Sequence, residues 1–134
     1  MKKNVLFLCT GNSCRSQMAE GLLRHFSSDK YNVFSAGVSP TKVNENAIEV
    51  MKEIGIDISH HKSKSVDEFK DKSFDIIITV CDNAKQNCPF FPGLAERIHW
   101  DIIDPAEALG SQVHLLEAFR EVRDEITKHI KNEL

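Results

Sequence analysis

With 134 residues, 41% of them hydrophobic and 28% charged, the chain has the size and balance of one ordinary soluble globular domain, spanning residues 1–134. A formal net charge of −3 argues against bulk binding to nucleic acid or to an anionic membrane surface. Lysines precede an apolar run at the start, but that run covers only residues 5–8, too short for a signal sequence or a bilayer span, so a cytoplasmic protein is expected.

Residues 5–8, VLFL, read as a strand buried on both faces. After the polar stretch CTGNSCRS at 9–16, Met18, Leu22 and Phe26 recur every fourth residue beside Ala19 and Leu23, which predicts an amphipathic helix over 16–26. A second strand is expected at 32–37. A helix follows over 43–55, with Asn44 as N-cap, Ala47, Ile48, Met51 and Ile54 as its buried stripe, and Gly55 closing it. FDIIITV at 74–80 is the strongest strand signal and should be central. A short fourth strand is expected at 98–100. A terminal helix starts near Gln112, with Leu115 or Leu116, Phe119, Val122, Ile126 and Ile130 at helical spacing.

This order, β-α-β-α-β-β-α with a short extra turn or two, predicts an α/β fold: a three-layer α/β/α arrangement around a four-stranded parallel sheet. Sites in such folds form at the carboxyl ends of the strands, and Cys9 and Cys81 each end a predicted strand.

The four cysteines fall in two close pairs, Cys9 with Cys14 and Cys81 with Cys88. In a cytoplasmic protein such pairs suggest metal binding, redox chemistry or catalysis rather than structural disulfides. Zinc fits poorly. The spacings Cys-x4-Cys and Cys-x6-Cys are unusual for zinc ligands, His60 and His61 are adjacent and expected to be exposed, and His99 is expected to pack near the site, so no metal is expected.

Cys9 and Arg15 form Cys-x5-Arg between a strand and a helix. Small residues at Thr10, Gly11 and Ser13 let the loop curl, so that its amides form an anion nest at the helix N-terminus. Arg15 can present two donors to a tetrahedral oxyanion. The same field is expected to lower the pKa of Cys9 and make it a nucleophile, with Ser16 donating to the sulfur. A lone cysteine after a strand is usually just a small buried hydrophobe; the strand, glycine, arginine and helix in register argue for chemistry.

The segment CTGNSCRSQMAEG resembles the phosphate loop of the low-molecular-weight tyrosine phosphatases and their relatives. That resemblance implies an oxyanion cradle made by Thr10, Gly11, Asn12, Ser13, Cys14, Arg15 and Ser16, with Cys9 attacking the bound anion. It also implies a general acid in an Asp-Pro pair, which here is Asp104-Pro105. A second stretch, TVCDNAKQNCP at 79–89, resembles the redox segment of thioredoxin-coupled arsenate reductases within the same superfamily, as do SAG at 35–37, GIDIS at 55–59, HW at 99–100 and VRDEI at 122–126.

The implied chemistry is reduction of arsenate to arsenite through Cys9, then Cys81, then Cys88, with no bound cofactor. Thioredoxin serves as external reductant, and the chain is expected to be a monomer. In several relatives, counterparts of Asn12, Glu20, Ser35 and a later aspartate hold a monovalent cation near the loop. Lys64 stands at the aspartate's position here, so its ammonium is expected to pair with Glu20 in the cation's place. The main rival is a phosphatase using Cys9, Arg15 and Asp104 alone, though Ala106 and Glu107 follow the Asp-Pro pair where phosphatases of this group carry aromatics. A third reading is a non-enzymatic oxyanion sensor or redox-regulated binding protein.

One expectation is purely geometric. Seven helical steps of ~1.5 Å would separate the Cα atoms of Cys81 and Cys88 by roughly 10 Å, whereas a disulfide needs about 4.4–6.8 Å. If 81–88 is helical, it must unwind on oxidation. Asp82, Asn83 and Asn87 are poor helix formers, and Pro89 stops a helix from continuing.

Overall fold

The computed structural model describes residues 2–88 and 91–134. The first strand, β1 (Lys3–Cys9), extends the expected 5–8 run by two residues before and one after. Residues Val5 to Cys9 are all buried, because β1 lies between two neighbours and is covered on both faces. These neighbours are β2 (Tyr31–Gly37) and β3 (Ile76–Thr79), and β4 (Glu96–His99) lies outside β3. The order β2-β1-β3-β4 is parallel throughout, giving the expected four-stranded sheet with the FDIIITV strand inside it. The register puts Cys9 opposite Gly37 and Thr79 opposite His99, so the carboxyl ends of the strands share one rim.

Side chains alternate across the sheet. Val5, Phe7, Ile76 and Ile78 face one core, which α1 (Arg15–Ser27), α2 (Glu45–Lys52) and α4 (Gln112–Glu133) cover. Leu6, Leu8 and Ile77 face the other. A 3-10 helix (Val66–Phe69) and the short α3 (Asp82–Asn87) contribute to that second layer. Edge-on contacts among Phe34, Phe69, Phe74 and Phe91 fill it out.

Two expectations need correction. α3 lies between β3 and β4, where the predicted order placed two strands in direct succession; parallel neighbours require a crossover, and α3 is part of it. In α2 the buried residues are Ala47, Val50 and Met51, with Ile48 partly buried and Ile54 at 42% exposure. The helix ends at Lys52, so Ile54 lies past its last turn, and Gly55 takes the left-handed φ of +82° that follows. Asn44 is the N-cap, its side chain accepting from Asn46 N. Arg123, from the VRDEI stretch, is buried and joins α4 to α2 through Val50 O at 2.7 Å and Glu53 at 3.0 Å. Among the described residues no helix is long and apolar enough to cross a membrane.

Candidate active site

Residues 9–14 form the turn from β1 into α1, and their carbonyls are all occupied from outside. Val38 N donates to Cys9 O, Ser39 N to Thr10 O, Thr41 N to Gly11 O and Asn44 N to Ser13 O, at 2.8–3.2 Å. Gln17 Nε2 and Ser63 Oγ donate to Asn12 O, and Met18 N to Cys14 O. In a trans peptide the N–H opposes the preceding C=O, and the chain has no cis bond. Carbonyls 9–13 facing outward therefore leave amides 10–14 facing the loop's centre, as an anion nest requires.

Asn12 is the hinge of this turn. It adopts φ +48°, a conformation asparagine tolerates better than most residues, and it is fully buried. Its Nδ2 donates to Ser16 Oγ at 2.8 Å and to Ser35 Oγ at 3.0 Å. Its Oδ1 accepts from Gln17 Nε2 and from Lys64 N. Gly37 lies so close that an added Cβ would meet Thr10 O at 2.5 Å.

Cys9 is 3% exposed. Its Sγ lies 2.8 Å from Ser16 Oγ and accepts from Asn12 N at 3.2 Å. Because Asn12 donates into Ser16 Oγ, the Ser16 hydroxyl proton is available to the sulfur. The expected lowering of the Cys9 pKa does not follow. Burial raises it above the ordinary 9.0, outweighing the Ser16 and Asn12 hydrogen bonds and the charge of Arg15.

Arg15, also buried, spends Nη1 on Ile102 O at 3.0 Å and Val80 O at 3.4 Å, and its Nη2 stands 3.7 Å from Asp104 Oδ2. Its Nε is buried without a partner among the described residues. Asp104 caps the 3-10 helix Pro105–Glu107, its Oδ1 accepting from Ala106 N at 3.0 Å, while Cys14 Sγ donates to that same oxygen at 3.5 Å.

The second cysteine pair flanks α3. Cys81 follows β3 and Val80, and its sulfur faces two ways: it caps α3 by accepting from Ala84 N at 3.3 Å, and it lies 3.2 Å from Thr10 Oγ1 on the loop. Cys88 sits at the far end of α3, with Arg97 Nη1 of β4 donating to its sulfur at 3.1 Å. Pro89, expected to stop this helix, lies outside the described residues. All four cysteines are free thiols.

Behind the loop, the Glu20 carboxylate accepts from Ser35 Oγ, pairs with Arg24 at 2.8 Å and has Lys64 Nζ at 3.7 Å. His61 is not exposed as expected: only 5% of its side chain is accessible, and Nδ1 lies 2.9 Å from Gln17 Oε1. Burial depresses its pKa, partly offset by Glu20. His60 is exposed, and His99 Nδ1 meets Thr79 Oγ1 at 2.8 Å on the rim. Among the described residues no group of three or more His, Cys, Asp or Glu could hold a metal ion.

The sequence reading did not foresee Gln17, Ser63, the backbone of 38–44 or Arg97. Backbone donors leave no side-chain signature.

A buried thiol inside a ring of amides, with an arginine and an aspartate across it, places the chain among cysteine-dependent proteins that act on tetrahedral oxyanions. More narrowly, it belongs to the low molecular weight phosphotyrosine protein phosphatase family, whose model matches residues 4–134. Within that family it is 48% identical over 130 residues to an arsenate reductase of Halalkalibacterium halodurans, covering 97% of this chain and 94% of the relative. A solved structure of an arsenate reductase in the oxidized state superposes with a TM-score of 0.82 at 33% identity, covering 97% and 95% of the two chains. A Corynebacterium glutamicum thioredoxin-dependent arsenate reductase superposes at 0.69 with 27% identity, covering 99% of this chain and 64% of that one.

Proposed function

We propose that this chain is a cytoplasmic arsenate reductase that acts as a monomer, uses no bound cofactor and takes its electrons from thioredoxin. One observation carries the redox reading: the Cys81 sulfur lies against Thr10, the residue that follows Cys9, so a second thiol stands at the oxyanion loop. Hydrolysis has no use for it.

In this reading the amides of residues 10–16 and the Arg15 guanidinium hold arsenate. The orphaned Arg15 Nε is a buried donor that an oxyanion would satisfy. The Cys9 thiol passes its proton to dianionic arsenate and attacks arsenic as thiolate, while Asp104 protonates the departing oxygen, which leaves as water. Cys81 thiolate then attacks the Cys9 sulfur. The sulfur–arsenic electron pair stays on arsenic, which departs as arsenite, and a Cys9–Cys81 disulfide remains. Cys88 thiolate attacks Cys81 and frees Cys9 as thiolate. Thioredoxin reduces the Cys81–Cys88 disulfide by ordinary exchange. Asn12 and Ser35 support the loop, with Lys64 balancing Glu20. The same loop chemistry predicts weak phosphatase activity.

The test is arsenate-dependent NADPH oxidation with thioredoxin and thioredoxin reductase. Cys81→Ser and Cys88→Ser should each abolish steady turnover. Normal turnover by both variants would refute the relay. Arsenate binding by the native chain without turnover would favour the sensor reading.

A further inference from the structure

The mechanism leaves one buried nucleophilic group unused, the thiol of Cys14. The residue is 3% exposed, and its sulfur lies 3.5 Å from Asp104 Oδ1, within the reach of an S–H donor. Ala106 N donates to the same oxygen at 3.0 Å. A carboxyl oxygen that already accepts from two donors has no room for a proton of its own, since that hydrogen would point at another. The other oxygen, Oδ2, lies 3.7 Å from Arg15 Nη2, beyond hydrogen-bond length, and it is the oxygen on the loop arginine's side.

We propose that Cys14 is a positioning residue for the general acid: its thiol and the Ala106 amide together hold Asp104 Oδ1, so that Oδ2 is the oxygen that carries the proton and delivers it to the leaving oxygen. This rests on the reading of Asp104 as the acid. The group must remain a donor at working pH, and it does. Burial, with the charge of Asp104 next, pushes the Cys14 pKa to about 12. Cys14 undergoes no covalent step in this role, so no electrons move through it.

The assay is single-turnover arsenite release from reduced enzyme without thioredoxin, with the melting temperature of each variant confirming its fold. Cys14→Ala removes the donor and should slow release about three- to tenfold, with half-saturation by arsenate changed less than about twofold. Cys14→Ser restores an O–H donor and should recover most of the rate. In an Asp104→Asn background, where there is no acid to orient, Cys14→Ala should change nothing further, because residues acting as one unit are not additive. An equal loss in both backgrounds, an equal loss in Ala and Ser, or no loss with Ala would overturn the proposal while leaving Asp104 as the acid. A normal rate for Asp104→Asn alone would instead remove the reading beneath it.

Discussion

At the scale of single residues, Cys9 shows how a motif's electrostatic expectation can fail against burial. The motif suggested a thiol with a lowered pKa, because amides, arginine and a helix end all favour a negative charge. The geometry shows where those groups are spent. Asn12 N, Ser16 Oγ and the Ser16 backbone amide reach the sulfur, and Arg15 Nη1 is committed to the carbonyls of Val80 and Ile102. The loop amides face the centre of the loop, where the proposed reading places the oxyanion, and burial of the sulfur dominates. The sign follows: the folded state favours the neutral thiol, so reactivity grows with pH through and above 9.0. Alkylation of Cys9 by iodoacetamide, followed by peptide mass mapping, should still be climbing at that pH. A plateau reached in neutral buffer would mean that the donors win over burial.

At the scale of elements, legibility followed burial. β1 and β3 announced themselves because a strand covered on both faces has to be apolar throughout, and α4 because its stripe repeats over many turns. α3 gave no such signal. Of its six residues, DNAKQN, three are poor helix formers, and its cap is a thiol, Cys81 Sγ on Ala84 N. That cap is a thiol that the proposed relay oxidises. While α3 is wound, the two cysteines at its ends stand roughly 10 Å apart along the axis, too far for the about 4.4–6.8 Å of a disulfide. Forming Cys81–Cys88 also withdraws the capping sulfur and pulls Cys88 from Arg97. Amide hydrogen exchange over 81–92 should therefore speed up when the purified enzyme is oxidised to that disulfide, and slow again on reduction. Identical rates in the two states would show that α3 does not unwind.

At the scale of the whole molecule, the loop's shape depends on segments far away in sequence, which is why so much of its support was unreadable. Residues 38–44 occupy four of its carbonyls, Ser63 another, and Lys64 spans the gap. Lys64 N donates to Asn12, Lys64 O accepts from Gly37 N, and its ammonium lies 3.7 Å from Glu20. Glu20 is 4% exposed, and a carboxylate buried that deeply needs compensating charge. Arg24 supplies one cation from the same helix, at 2.8 Å. Lys64 Nζ lies 3.7 Å away on the loop's side, and in the proposed reading it stands in for a free cation beside Glu20, Ser35 and Asn12. The native chain should then turn over arsenate equally fast in potassium chloride and in tetramethylammonium chloride at equal ionic strength. Lys64→Asp replaces the internal cation with a second carboxylate beside Glu20. It should lower the melting temperature in tetramethylammonium and recover part of the loss in potassium, because the new carboxylate repels Glu20 until a cation sits between them. A severalfold acceleration of the native enzyme by potassium would mean that the Lys64 ammonium, at 3.7 Å and partly exposed, leaves Glu20 under-compensated.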